Sequence, residues 1–287
     1  LDALAFAGEN HLHICHVNAY CRGLTHGSPA EETLLALKAL SAQPHLVSES
    51  HMGPLNSCWS RLKDNGKPFS HVTRTCLTSG GYSMDRKGLL AATLDGYMQV
   101  QRAWPANVVY LEPEEGAAYL KEVDFETMVS FPVNERSTAY LCATAKNPEG
   151  GFIVNALSTD GGAIPRNFLL SHGLALVRFD ALSTAQFVQK TSGTPAHMLG
   201  LSNKGHLKPG ADADLVVVDA ERHIPLLTVA SGQIIMAGGA VMGRGGKLVT
   251  TDFGVNSLTD QNVDHEVANL EQGLFYKAPG GLSRMAG

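Results

Sequence analysis

The chain has 287 residues, of which 44% are hydrophobic and 17% charged, a composition typical of a soluble globular protein. Its 22 lysine and arginine residues against 27 aspartate and glutamate residues give a net charge of -5. This balance leaves no basic surface for a polyanion, so we expect no nucleic-acid partner. The longest apolar runs stop far short of the ~20 residues that a spanning helix needs, so we expect no membrane partner either.

The five cysteines are odd in number and lack CxxC spacing. This pattern argues against a disulfide framework and against a thiolate zinc cluster, and it favours a reducing compartment. The chain opens at Leu1 without a charged-then-apolar leader, which argues against a secretory precursor. Cytoplasmic localisation is therefore the expectation.

The first predicted element is a strand over residues 10–18. Strict alternation would place His11 and His13 against helices. The opposite, inward face would consist of Leu12, Ile14, His16, Asn18 and Tyr20.

A helix is predicted next, because Ser28 and Glu31 form a capping box around Pro29 and leucines then recur at helical spacing. Residues 44–51 are predicted as a second strand that ends in polar residues. Strand, helix and strand in this order are typical of a parallel α/β unit. For Glu49 and His51, at the end of the second strand, a capping role is favoured over a place in a pocket.

Residues 54–150 show a looser pattern with polar turns. This stretch is too long for a structureless loop, so we interpret it as an insertion with its own helices. One of these helices is predicted near residues 87–102.

Regular patterning returns at residues 151–162, a predicted strand that delivers Asp160 into a glycine turn. Ser183 and Gln186 form a second capping box and open a helix toward Thr191. Short strands separated by glycine turns are then predicted up to about residue 250, and the tail from residue 252 is polar and weakly patterned.

Residues 194–219 carry the most specific motif in the chain. A helix precedes a Gly-x-Leu-x-x-Gly-x-x-Ala-Asp-Leu-Val-Val-x-Asp pattern, which here consists of Gly205, Leu207, Gly210, Ala213, Asp214, Leu215, Val216, Val217 and Asp219. This pattern resembles the end of the catalytic domain in the amidohydrolase superfamily, and the hydantoinase and D-aminoacylase branches are the most similar.

The resemblance implies roles for two residues upstream. Asp160, in Ser-Thr-Asp-Gly, looks like the aspartate that ends the eighth barrel strand, binds metal and shuttles a proton. His16 looks like the histidine that ends the sixth strand and ligates metal. The resemblance implies one or two divalent metal ions as cofactor, with zinc as the expected metal. Asn18, Tyr20, Arg22 and Arg166 are candidates for contact with a small-molecule substrate, and the two arginines could bind a carboxylate.

The chain departs from the family in length. About 150 residues up to Asp160 are too few for eight strands plus the insertion, since a (β/α)8 barrel takes ~250 residues. The expected fold is therefore α/β: the C-terminal part of a TIM-type barrel over residues 1–204, strands of a small β-sandwich over 205–250, and a tail over 251–287. The front half of the barrel would come from a second polypeptide or a removed segment, so we expect a hetero-oligomer.

These inferences predict an enzyme, a metal-dependent hydrolase of C–N bonds other than peptide bonds. Its substrate would be an amide, a cyclic amide or an N-acyl amino acid, attacked by a water that a divalent cation activates. Two alternatives stay open from the sequence. The chain could be a non-catalytic scaffold or regulatory subunit of a hydrolase, or it could belong to an amidohydrolase-type deaminase.

Overall fold

The computed structural model describes residues 12–104, 108–160, 168–243, 246–269 and 271–274, which form a mixed α/β structure. The strands are β1 (His13–Ile14), β2 (Val47–His51), β3 (Asn56–Trp59), β4 (Gln99–Ala103), β5 (Val108–Tyr110), β6 (Met128–Phe131), β7 (Ala156–Ser158), β8 (Leu215–Asp219), β9 (Ile224–Ala230), β10 (Gln233–Ala237), β11 (Ala240–Val241), β12 (Leu248–Thr250) and β13 (His265–Val267). The helices are α1 (Val17–Tyr20), α2 (Pro29–Ser41), α3 (His71–Ser79), α4 (Arg86–Leu94), α5 (Pro113–Glu122), α6 (Arg136–Thr144), α7 (Phe168–Arg178), α8 (Thr184–Val188), α9 (Thr194–Met198) and α10 (Val255–Asp260), with a π-helix at Gln189–Gly193 between α8 and α9.

A parallel sheet of order β1-β2-β7 positions the candidate site. Helix α2 connects β1 to β2, as the capping box predicts: the Ser28 side chain accepts a hydrogen bond from Glu31, and the Glu31 carboxylate accepts one from the Ser28 N–H. Because the three strands run in the same direction, their carboxyl ends lie at one edge of the sheet.

The strand predicted over residues 10–18 is wrong in its second half. Strand β1 ends at Ile14, and α1 begins at Val17. The turn is made by His16, whose backbone adopts the left-handed conformation with φ 52 and ψ 47. A residue in that conformation cannot continue a strand, so the alternation rule fails beyond it.

The predicted inward face of that strand is therefore also wrong. Ile14 packs against Val17, Leu37 and Leu40, on the side of the sheet that helix α2 covers. His13 points to the opposite side, where its ring lies beside Cys15 and Glu49.

The stretch predicted as an insertion contains a second sheet of order β3-β6-β4-β5, in which all pairings are antiparallel. Helices α3, α4 and α5 contribute to its own hydrophobic core, which includes Leu77, Leu89, Val100 and Phe131. The helix predicted near residues 87–102 is shorter than expected. It ends at Leu94, the chain turns at Gly96 with φ 71, and residues 99–103 form β4.

The capping box at Ser183 starts α8 as predicted. The helical path then continues through the π-helix into α9, beyond the predicted end at Thr191. Pro195 explains the π turn, because proline lacks an N–H and its ring would collide with the carbonyl group four residues earlier in a regular α-helix.

The predicted glycine-separated strands after residue 214 form an antiparallel meander of order β11-β10-β9-β8. Large apolar side chains of this sheet are exposed, and two neighbours on β8, Val216 and Val217, are 52% and 45% accessible. The tail from residue 252, weakly patterned in sequence, contains α10 and β13, and β13 pairs in parallel with β12.

In the described part of the chain, no helix is both long enough and apolar enough to cross a bilayer.

Candidate active site at the carboxyl edge of the parallel sheet

Three side chains converge where the parallel strands end. His16 follows β1, His51 is the last residue of β2, and Asp160 follows β7. His16 Nε2 lies 3.5 Å from Asp160 Oδ1, and His51 Nε2 lies 3.9 Å from Asp160 Oδ2. The Asp160 carboxylate therefore lies between two imidazole nitrogens that come from different strands.

Glu49 holds His16 in place from inside β2. Its Oε1 atom lies 2.5 Å from His16 Nδ1 and accepts a hydrogen bond of 2.6 Å from the His16 backbone N–H, while Oε2 accepts one from Ser158. The hydrogen bond to Glu49 raises the pKa of His16, although burial opposes this effect. Burial by itself would raise the pKa of Glu49, but the hydrogen bonds from His16 and Ser158 outweigh it and hold that pKa below its usual value.

His51 is fully buried, and the amide groups of Asn18 and Asn134 surround its ring. The Nδ2 atoms of these asparagines lie 3.4 and 3.5 Å from His51 Nε2. Asn18 is fixed in turn, because its Oδ1 accepts hydrogen bonds from the Ser50 hydroxyl and the His51 backbone N–H. Burial lowers the pKa of His51, because a buried imidazolium loses its hydration.

Two of the converging residues have an unusual backbone. His16 and Asp160 both have positive φ angles, 52 and 57, which side-chain-bearing residues seldom adopt. Such conformations cost free energy and cluster at functional sites, where surrounding contacts enforce them. Here the left-handed turns direct both side chains back across the edge of the sheet.

This donor set suits a divalent cation. Catalytic zinc is typically held by three protein ligands, histidine nitrogens and carboxylate oxygens, with a further position open to substrate. His16, His51 and Asp160 supply two nitrogens and one carboxylate. The Glu49 carboxylate lies against the other ring nitrogen of His16, where a metal-binding histidine would have its outer partner.

The other predicted substrate contacts are spread over different environments. Asn18 is completely buried against His51, whereas the Tyr20 side chain is 73% exposed. The Arg22 guanidinium donates to Cys76 Sγ at 3.5 Å, inside the insertion. Arg166 lies outside the described residues. Substrate contact by these four residues stays a prediction.

Sequence reasoning underestimated Glu49 and His51 and did not identify Asn134. The polar end of β2, Glu-Ser-His, was the available signal for the first two, but a cap explained it equally well. Asn134 lies 83 residues beyond His51 and carries no local motif, so only the folded chain brings it to the site.

The sequence matches the amidohydrolase family model over residues 106–264, more than half of the chain. The chain belongs to this family. Among solved structures, it resembles a chain of the formyltransferase/hydrolase complex FhcABCD from Methylorubrum extorquens, determined in complex with methylofuran. The sequence identity is 18% and the TM-score 0.51, over 91% of this chain and 50% of that one.

At that identity, the structural similarity supports a shared fold. The chain spans half the length of the chain that it resembles. Membership in the amidohydrolase family confirms the resemblance inferred from residues 194–219, and its members commonly bind divalent metals.

Proposed function

We propose that this chain is the C-terminal part of a metal-dependent amidohydrolase that cleaves the C–N bond of an amide, a cyclic amide or an N-acyl amino acid. Zinc is the proposed cation. The observation that carries the proposal is the position of the Asp160 carboxylate, 3.5 and 3.9 Å from imidazole nitrogens of His16 and His51.

The division of work follows from the contacts of each residue. His16 and His51 would hold the cation through Nε2, with Glu49 fixing the orientation of His16. When bound, the cation lowers the pKa of a water and polarises the substrate carbonyl group. The Asp160 carboxylate would take the proton from the attacking water and return it to the leaving nitrogen. Asn18 would hold the backbone of His51 through the hydrogen bond that its Oδ1 accepts from the His51 N–H. Asn18, Tyr20, Arg22 and Arg166 are proposed to contact substrate.

The proposed architecture is part of a TIM-type barrel, with the β8–β11 meander as strands of a small β-sandwich. Three parallel strands cannot close a barrel, so a second polypeptide or segment would supply the remaining strands and metal ligands. The free cysteines, all five of them unpaired, are compatible with the reducing interior of a cell, and we propose a cytoplasmic location.

The test is the substitution Asp160→Asn in the intact assembly. We expect turnover to fall by at least about a hundredfold, since general acid–base catalysis contributes ~10²–10⁴. Asp180→Asn, at an exposed aspartate that also has a positive φ, is the matched control and should leave turnover unchanged. The substrate panel comprises cyclic amides, N-acyl amino acids and N-formyl amines, the last because the structural neighbour is part of a formyltransferase/hydrolase complex.

Metal content and product analysis complete the test. Removal of the cation by a chelator should abolish turnover, and zinc should restore it. Full activity after chelation would exclude the proposed mechanism. Unchanged turnover in Asp160→Asn would instead favour a scaffold or regulatory subunit, and ammonia released from an aminated heterocycle would favour a deaminase.

A further inference from the structure

The geometry points to a second cation site, formed by His13, Cys15 and Glu49 on the parallel sheet. We infer that it binds a borderline-soft divalent ion, zinc by preference, through a cysteine thiolate. This site goes beyond the proposed hydrolytic centre, which uses His16, His51 and Asp160.

The three side chains share one face of the sheet. Register pairs His13 with Val47 and Ile14 with Ser48, which places Cys15 beside Glu49 on the neighbouring strand. Ile14 packs on the helix-covered side, so His13 and Cys15, two residues apart, lie on the other side. One ligand atom from each of His13, Cys15 and Glu49 lies within 4.8 Å of the others.

The closest pair already has the spacing of two ligands on one ion. Cys15 Sγ lies 3.5 Å from His13 Nδ1. Bond lengths of ~2.3 Å for Zn–S and ~2.05 Å for Zn–N at the tetrahedral angle put the two ligand atoms about 3.6 Å apart. Little movement of either side chain is therefore needed to bind.

Glu49 has capacity for a third ligand bond. A carboxylate offers roughly four lone-pair sites. Oε1 accepts from the His16 backbone and from His16 Nδ1, and Oε2 accepts from Ser158, which leaves one site on Oε2. Glu49 would thus stand between the two cation sites and join them electrostatically.

The donor set selects the class of ion. Thiolate and imidazole favour zinc and similar ions over magnesium or calcium, which require oxygen ligands. Cys15 is exposed, while the other four cysteines are buried, so an ion and its fourth ligand can reach the thiol directly.

Cobalt(II) titration of the metal-free full chain, with any copurifying partner, tests the inference. A cobalt–thiolate bond gives an intense near-ultraviolet charge-transfer band, which a site built from histidine and carboxylate alone lacks. We expect the band in the wild type and in Asp160→Asn, and its loss in Cys15→Ser. Cys142→Ala, at a buried cysteine, is the matched control and should keep it. Absence of the band in the wild type, or its persistence in Cys15→Ser, would overturn the inference.

A second measurement avoids dependence on the folding of a variant. Wild-type chain is treated with iodoacetamide with and without zinc, and each cysteine is followed by peptide mass spectrometry. Nine-tenths occupancy should slow alkylation of Cys15 about tenfold, because a ligated thiolate does not react freely. An equal rate with and without zinc would contradict the site. If zinc does not protect Cys15 in the wild-type chain but turnover still depends on the cation, the second site is excluded and the proposed hydrolytic centre is not.

Discussion

Glu49 connects several parts of the candidate site. Its carboxylate contacts the backbone and ring of His16 and the hydroxyl of Ser158, so it links the ends of all three parallel strands. The raised pKa of His16 and the lowered pKa of Glu49 express the same interaction from its two sides.

The directions of these two pKa shifts define the pH range in which the contact between His16 and Glu49 stabilises the fold. The Glu49 contribution to folding is present above its ordinary pKa and is lost as pH falls through the lowered value. The His16 contribution is present below its ordinary pKa and is lost as pH rises through the raised value. The pair therefore stabilises the site most in mildly acidic solution.

Glu49→Gln should lower the pKa of His16 and weaken cation binding at the centre formed by His16, His51 and Asp160 by about 10–100-fold, the usual effect of removing an outer partner of a metal ligand. NMR titration of the His16 ring in metal-free chain and calorimetric titration with zinc measure the two effects. Ser158→Ala removes a hydrogen bond of Glu49 without touching His16, and it should change both quantities less. An unchanged His16 pKa in Glu49→Gln would contradict the assigned contact.

Among the helices, the π-helix is unusual because it places a lysine, Lys190, in the interior of the protein. Lys190 is 1% exposed, its Nζ donates to the Val154 carbonyl group at 2.8 Å, and it lies 4.0 Å from the centre of the Phe152 ring. Burial lowers the pKa of Lys190 to about 7. The π turn and the segment before β7 are therefore held together by a lysine that loses its charge easily.

Lys190→Met should change the pH dependence of stability. The folded pKa is depressed, so between about pH 7 and 10.5 the unfolded chain binds more protons and the wild type gains stability as pH rises. From about pH 6 to about pH 9 this gain is about 3 kcal/mol, and the variant should lack it. Denaturant unfolding at both pH values measures the difference.

Lys38→Met, on the exposed side of α2, is the matched control and should retain the wild-type pH dependence. Equal slopes for wild type and Lys190→Met would show that Lys190 keeps its ordinary pKa in the folded chain.

At the scale of the whole molecule, the β8–β11 sheet exposes large apolar side chains among the described residues. Adjacent residues Val216 and Val217 on β8 point to opposite faces and are both exposed, as are Ile224 and Ile234 in the same sheet. Exposed apolar patches of this kind mark interaction surfaces. Strand β1 also forms an open edge of the parallel sheet among the described residues.

We therefore expect the chain, purified from its source, to occur in an assembly heavier than its own 30.5 kDa, with a second polypeptide that covers these surfaces. Native mass spectrometry followed by denaturing intact-mass measurement identifies the components. A folded, monodisperse single chain would contradict this expectation.

Local interactions explain what the sequence predicted well. The capping boxes at Ser28 and Ser183 start helices as expected, since a cap depends on residues three positions apart. Residues 205–219 identified the family for a similar reason, because their motif is continuous in sequence. The predictions fail where the backbone changes direction at a single residue, as at His16. A left-handed turn made by a histidine cannot be recognised from the hydrophobic pattern of the sequence.

The sequence by itself determined the family, the capped helices and the proposal of His16 and Asp160 as partners. Only the tertiary structure decided that Glu49, His51 and Asn134 join them, since Glu49 lies 33 residues from His16 and Asn134 lies 83 residues from His51. The physical reason is that parallel strands place their ends together whatever chain length lies between them, whereas sequence patterns record only neighbours along the chain.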